Sequence, residues 1–183
     1  MKLQVLVFTC ALVLVNCGGS LSSVQWSQFG GNPLHSVSRQ SSKPLQAGVL
    51  EPKQKWAYSL SGYAEAGAAI GADGTVYLGT KDFYIRAIED LKLLKHVGLK
   101  WPVERWAYKT KGGVDAIPAI GEDGSTVFIG SRDKNFYALD AATGELRWKK
   151  SGIGEVHGSP AVWKDKVAWG DEIGRSEERR VGK

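Results

Sequence analysis

Sulfur is scarce in this chain. The initiator is the only methionine, and the two cysteines, Cys10 and Cys17, both stand near the start. Cys10 lies inside a leading apolar run, so a processed chain keeps Cys17 alone and has no intramolecular disulfide. An exported protein of that kind is held by its core. Long hydrophobic runs are missing as well. The longest, Leu3–Val15, covers 13 residues, against the ~20 that a membrane-spanning helix needs. A short apolar run after Lys2 reads instead as a secretory leader. A basic stripe is absent too. The formal net charge is +5, but Lys2 and the last nine residues supply three of those charges, leaving +2 for Cys17–Gly174. The electrostatic footprint of a nucleic-acid binder is therefore missing. The three histidines, His35, His96 and His157, are far apart and show no ligand spacing, so each reads as a surface or packing residue. Ser159 sits in Gly158-Ser159-Pro160, outside any nucleophile-elbow pattern. No catalytic, cofactor-binding or metal-ligating residue is read from the sequence.

Repetition is what the chain has in quantity. "AIGADGTVYLGT", Ala69–Thr80, returns as "AIGEDGSTVFIGS", Ala119–Ser131, and a worn third copy, "AVWKDKVAWGD", runs from Ala161 to Asp171. Self-similarity at such a period marks an array of like units. In each of the first two copies Asp-Gly (Asp73-Gly74, Asp123-Gly124) separates two apolar segments, a strong hairpin signal because Gly accepts φ > 0. The second copy has one more residue between Ile120 and Val127 than the first has between Ile70 and Val76, and insertions belong at loop tips. Asp73, Glu122 and Asp123 lack the alternating ligands and downstream acid of a calcium loop, so they read as turn residues.

Strands are predicted at Thr75–Gly79 and Thr126–Gly130, then at Phe83–Glu89 and Asn135–Ala141, with a fourth at Glu145–Trp148. The first pair is apolar on both faces, which requires a sheet covered on both sides. Trp56, Trp106 and Trp148 mark unit ends, at intervals near the ~40–45 residues of a four-stranded propeller blade. The longer interval holds Leu91–Glu104, whose apolar spacing predicts a short helix on a blade rim. Trp163 and Trp169 read as packing between blades.

"ALDAATGELRW", Ala138–Trp148, resembles the tryptophan-docking motif of the quinoprotein-type (pyrroloquinoline quinone-type repeat) β-propellers, with Ala138, Asp140, Thr143, Gly144 and Trp148 at the motif positions. In that family the Trp packs on backbone at the motif Gly and against Ala of a neighbouring blade. The earlier copy from Ala87 loses Thr-Gly, and Trp26–Ser36 resembles the opening of exported proteins of this class. The resemblance implies an all-β fold, a partial propeller of about three to four antiparallel blades from a larger ring, over residues 26–174. Family members that use pyrroloquinoline quinone with Ca²⁺ commonly show an adjacent Cys-Cys pair, which this chain does not have.

The ends carry their own expectations. Leu14-Val15-Asn16-Cys17 resembles a bacterial lipobox, which implies a leader over residues 1–16, lipid attachment at Cys17, a linker over 17–25, and an exported, membrane-anchored protein facing the periplasm or the outside. Residues 175–183, Arg175–Lys183, match the translation of a common sequencing adapter and read as a non-native tail. In repeat type and anchoring the chain resembles the propeller lipoproteins of outer-membrane β-barrel assembly. That implies a non-catalytic envelope scaffold with other envelope proteins as partners, no nucleic acid and no cofactor. The alternative is part of a quinone-dependent dehydrogenase that holds pyrroloquinoline quinone with Ca²⁺.

Overall fold

A computed structural model describes residues 56–90 and 102–181. The predicted leader, Cys17, the linker, Trp26–Ser36, His35, His96 and most of Leu91–Glu104 lie outside those residues. Among the described residues there is no helix. Eleven strands form three antiparallel sheets. The first sheet contains β1 (Ala69–Ile70), β2 (Val76–Thr80), β3 (Tyr84–Asp90) and β4 (Pro102–Lys109) in sequence order. The second repeats it with β5 (Ala119–Ile120), β6 (Thr126–Gly130), β7 (Asn135–Asp140) and β8 (Leu146–Ser151). The third has β9 (Ala161–Trp163), β10 (Lys166–Gly170) and β11 (Ser176–Arg180). These are successive blades of a β-propeller, here called A, B and C.

The repeat in sequence becomes a repeat in register. Ile70 pairs with Val76 and Ile120 with Val127, so the extra residue of blade B sits inside the turn. Gly74 and Gly124 take φ of 89° and 72° there. Asp73 and Asp123 complete these turns by accepting from the amides and hydroxyls of Thr75 and Ser125.

Two apolar layers hold the blades together, and alternation along β6 feeds both. Val127 and Ile129 face blade A, where they meet Tyr77, Ile85, Ala87 and Trp106. Phe128 faces blade C with Phe136 and Ala138, against Val156, Val162, Val167 and Trp169. Phe136 stacks on Trp169 at 4.0 Å between centroids and 3° between planes. Burying each such side chain contributes ~1.5–3 kcal/mol. A covered sheet of this kind is what the two-faced apolar strands predict.

Several expectations need correction. Trp106 and Trp148 lie within β4 and β8 rather than at unit ends, because each pairs with the small residue opposite it, Ala87 and Ala138. Both strands then run on for three more residues. Trp56 lies outside any strand. Pro102–Glu104, included in the predicted helix, begin β4. Trp163 is 56% exposed because it ends β9 at a turn, whereas Trp169 is core. Ser176–Arg180, within the segment read as a non-native tail, form β11 and pair with β10 along its whole length, a pairing that says nothing of the segment's origin. Main-chain pairing asks little of side chains, and this strand buries none of its own.

Candidate functional site

The docking motif builds the joint between blades A and B. Asp140 Oδ1 accepts from the amides of Ala142 and Thr143, at 2.9 and 3.0 Å. The Gly144 amide returns to the Asp140 carbonyl, and Gly144 takes φ 75°. Thr143 Oγ1 accepts from the Glu145 amide. The tight loop that results presents bare backbone. Trp106 of blade A lies on it, its indole N–H donating to the Ala141 carbonyl at 3.0 Å. A Cβ on Gly144 would stand 2.6 Å from the Trp106 ring, so only glycine admits that contact. Tyr77 donates to the same carbonyl. The ring on the Gly144 loop is therefore Trp106, one blade earlier than the motif's own Trp148.

Trp148 is partly buried and packs against the core shared by blades B and C. It leans on Phe128, Phe136 and Trp169 at 5.9–6.4 Å, with the Arg179 guanidinium 4.5 Å over its ring. Arg147 pairs with Asp140, and that contact, with the amides of Thr143 and Ala142, holds the Asp140 carboxyl down at about 2.

The opposite end of the blades carries the β2–β3, β6–β7 and β10–β11 turns together with the connections that enter each new blade. Each connection lies against the turn that follows it. Lys81, Arg132 and Glu172 donate their amides to the carbonyls of Tyr63, Gly113 and Glu155. Val114 and Val156 reach back to the Thr80 and Ser131 carbonyls. Added Cβ atoms on Gly79 and Gly130 would collide with those valines. Asp82 and Asp133 tie the turns to the connections. Asp133 accepts from the Lys111 amide and from Tyr137 Oη, while Asp82 binds Ser61, Thr80 and Arg86. Burial opposes ionisation of both carboxyls, but these hydrogen bonds prevail and keep them below the usual carboxylate range. The same geometry pushes the Tyr137 hydroxyl up, by burial first and then by Asp133.

Ion pairs occupy matching places on this connection face. Lys81 pairs with Glu65 and Arg132 with Asp115. In blade C an imidazole, His157, stands in the connection and the acid, Glu172, in the turn, 3.6 Å apart. Glu155 adds a second carboxylate 3.0 Å from His157. Four of the exposed large hydrophobic residues also lie on this face: Tyr63, Phe83, Ile153 and Ile173. Phe83 is 45% exposed at φ 74°, a conformation unfavourable for a bulky side chain. The equivalent turn residues are Lys134, at φ 68°, and Gly174, at φ 80°.

The remaining polar residues of interest have structural partners. Ser159 Oγ accepts from the Ile117 amide, joining two blades. Glu122 accepts from the Lys164 amide. Asn135 binds the Asp133 carbonyl and Ser151 through its amide, and no described residue is a cysteine.

Comparison with known proteins accords with this architecture. The family model described as outer membrane protein assembly factor BamB matches residues 101–180. The crystal structure of BamB from Moraxella catarrhalis superposes with a TM-score of 0.56 at 24% identity, covering 69% of this chain and 36% of that one. A europium-containing methanol dehydrogenase superposes with a TM-score of 0.64 at 19% identity, covering 86% of this chain and 30% of that one. The chain thus spans about a third of the length of either structure, and the likeness is one of fold. No curated protein sequence matches significantly. The chain has a β-propeller fold, and over residues 101–180 it is similar to the BamB family model.

Proposed function

We propose that this propeller is a non-catalytic scaffold of the bacterial cell envelope that binds other envelope proteins through its connection face. Phe83 carries this reading. A large aromatic ring is held half in water at a left-handed backbone position, where Lys134 and Gly174 stand in the other blades. Strain of this sort costs ~1–3 kcal/mol and persists where a site uses it. Tyr63, Ile153 and Ile173 extend the same face with apolar side chains between ion pairs, the mixture typical of protein interfaces. The match to an assembly-factor model over residues 101–180 supports the class of partner. Export and lipid attachment at Cys17, read from the leader, complete the proposal. In Cys17→Ala, loss of lipid labelling and release from membranes are expected; unchanged retention counts against the anchor.

The fold shared with a methanol dehydrogenase keeps one alternative, a share in a quinone-dependent enzyme. Titration with pyrroloquinoline quinone in the presence of Ca²⁺ separates the two. The scaffold reading expects no saturable binding and no dye-linked alcohol oxidation. Saturable binding with oxidation of an alcohol or sugar would replace it by the enzyme.

A further inference from the structure

We propose that Glu155, His157 and Glu172 form a binding site for one divalent transition-metal ion of the zinc type, on the connection face of blade C. The three residues offer one imidazole nitrogen and two carboxylate oxygens, all within 4.8 Å of one another. The separations are those of an ion-pair cluster and also lie close to the donor spacing of a metal site. Zinc bound at ~2.0–2.2 Å in a tetrahedron sets its donors about 3.3–3.6 Å apart. His157 Nε2 is 3.0 Å from Glu155 Oε2 and 3.6 Å from Glu172 Oε2. Two of the three edges therefore stand near metal-site length already. A mixed nitrogen and carboxylate set with one position open is the donor chemistry zinc accepts.

The propeller repeat supplies an internal comparison. At the Glu172 position blades A and B carry Lys81 and Arg132, and at the Glu155 position they carry Tyr63 and Gly113. Each of those blades neutralises one acid with one fixed cation. Blade C has removed the cation from the turn, added a second acid, and put an imidazole, a ligand when neutral, where the others have Glu65 and Asp115. The backbone scaffold is unchanged, with the Glu172 amide on the Glu155 carbonyl at 2.9 Å. The Glu155 amide in turn donates to Glu172 Oε1 at 3.2 Å, which orients that carboxylate and leaves Oε2 toward His157. Outer contacts of this kind are what hold metal ligands in place. One cation opposes the site. Arg132 Nη1 is 3.5 Å from Glu155 Oε2, while its Nε is engaged by Asp115. A bound metal would displace Arg132 from Glu155 and leave it on Asp115.

The full chain, freed of metal by chelation, should be titrated with Zn²⁺ by calorimetry, and its melting followed with and without the ion. The site predicts saturable binding of one Zn²⁺ per chain and a rise in melting temperature. His157→Ala should abolish both, although His35, His96 and Cys17 remain. Glu172→Gln, which keeps the hydrogen-bonding shape, should weaken binding by about tenfold or more. Arg132→Gln should tighten it. That last sign is specific, because a purely structural ion-pair cluster would gain no metal affinity from losing Arg132. Metal-free melting of each variant reports its folding separately; for a variant that melts early, calorimetry is done below its transition. Absence of binding by the parent, or binding unchanged in His157→Ala, overturns the proposal.

Discussion

Trp106 and Trp148 hold the same place in successive blades and have different surroundings. Trp106 is 9% exposed and lies on the Gly144 loop, whereas Trp148 is half-buried with Arg179 over its ring. Trp106→Ala should therefore cost ~3–5 kcal/mol, the usual range for a buried aromatic, and Trp148→Ala about half of that or less. Urea unfolding of the two variants checks the ordering, and equal losses would contradict it. Gly144→Ala combines a positive φ with a collision against Trp106, so it should cost more than about 1 kcal/mol. Asp140 links this joint to pH. Its carboxyl sits at about 2 in the folded chain, held by Arg147, against ~3.9 when unfolded. A depressed carboxylate contributes stability that is present above pH ~4 and disappears as pH falls toward ~2. Asp73, Asp82, Asp123 and Asp133 are depressed as well and act in the same direction. Urea midpoints should therefore be steady above pH ~4 and fall below it, with a shallower fall in Asp140→Asn.

The strands show how far local pattern reaches. The hairpins at Asp73-Gly74 and Asp123-Gly124 were legible because turn chemistry and apolar alternation agree there. The fourth strand predicted at Glu145–Trp148 was read too short, since β8 continues as Trp148-Lys149-Lys150-Ser151, an exposed edge with no apolar pattern beyond the ring. The strand identity of Ser176–Arg180 was not legible, because its side chains are charged or polar and make ion pairs such as Lys166–Glu178 rather than an apolar pattern. β11 places Ser176, Glu178 and Arg179 where β7 has Phe136, Ala138 and Leu139. A charged edge strand with so little burial should open first. Amide exchange should be fast in β11 and slow in β7; equal protection of the two would show that β11 is packed as tightly as its counterpart. Gly130 tests the contact between turn and connection. Gly130→Ala drives a methyl into Val156 and should loosen blade C from blade B, lowering the melting temperature, while the same change at Gly74, with open space around it, meets only the strain of its φ.

At the scale of the molecule, the blade architecture was written in the repeat, but the connection face was not. Glu155, His157 and Glu172 meet only because one connection lies along the following turn, so no spacing in the chain announces them. Phe83 reads as an ordinary strand residue until its backbone places it at a left-handed turn position. The motif residues Asp140, Thr143 and Gly144 were legible as a turn, yet which tryptophan they receive depends on how blades stack. The scaffold reading rests on the connection face, and site-specific photo-crosslinking in the intact envelope tests it most directly. A crosslinker at Phe83 or Ile173 should join the chain to a discrete envelope protein, and one at Leu146, on the opposite end of blade B, should not. Equal labelling from both ends, or none from Phe83 and Ile173 in a folded, exported chain, would contradict the account.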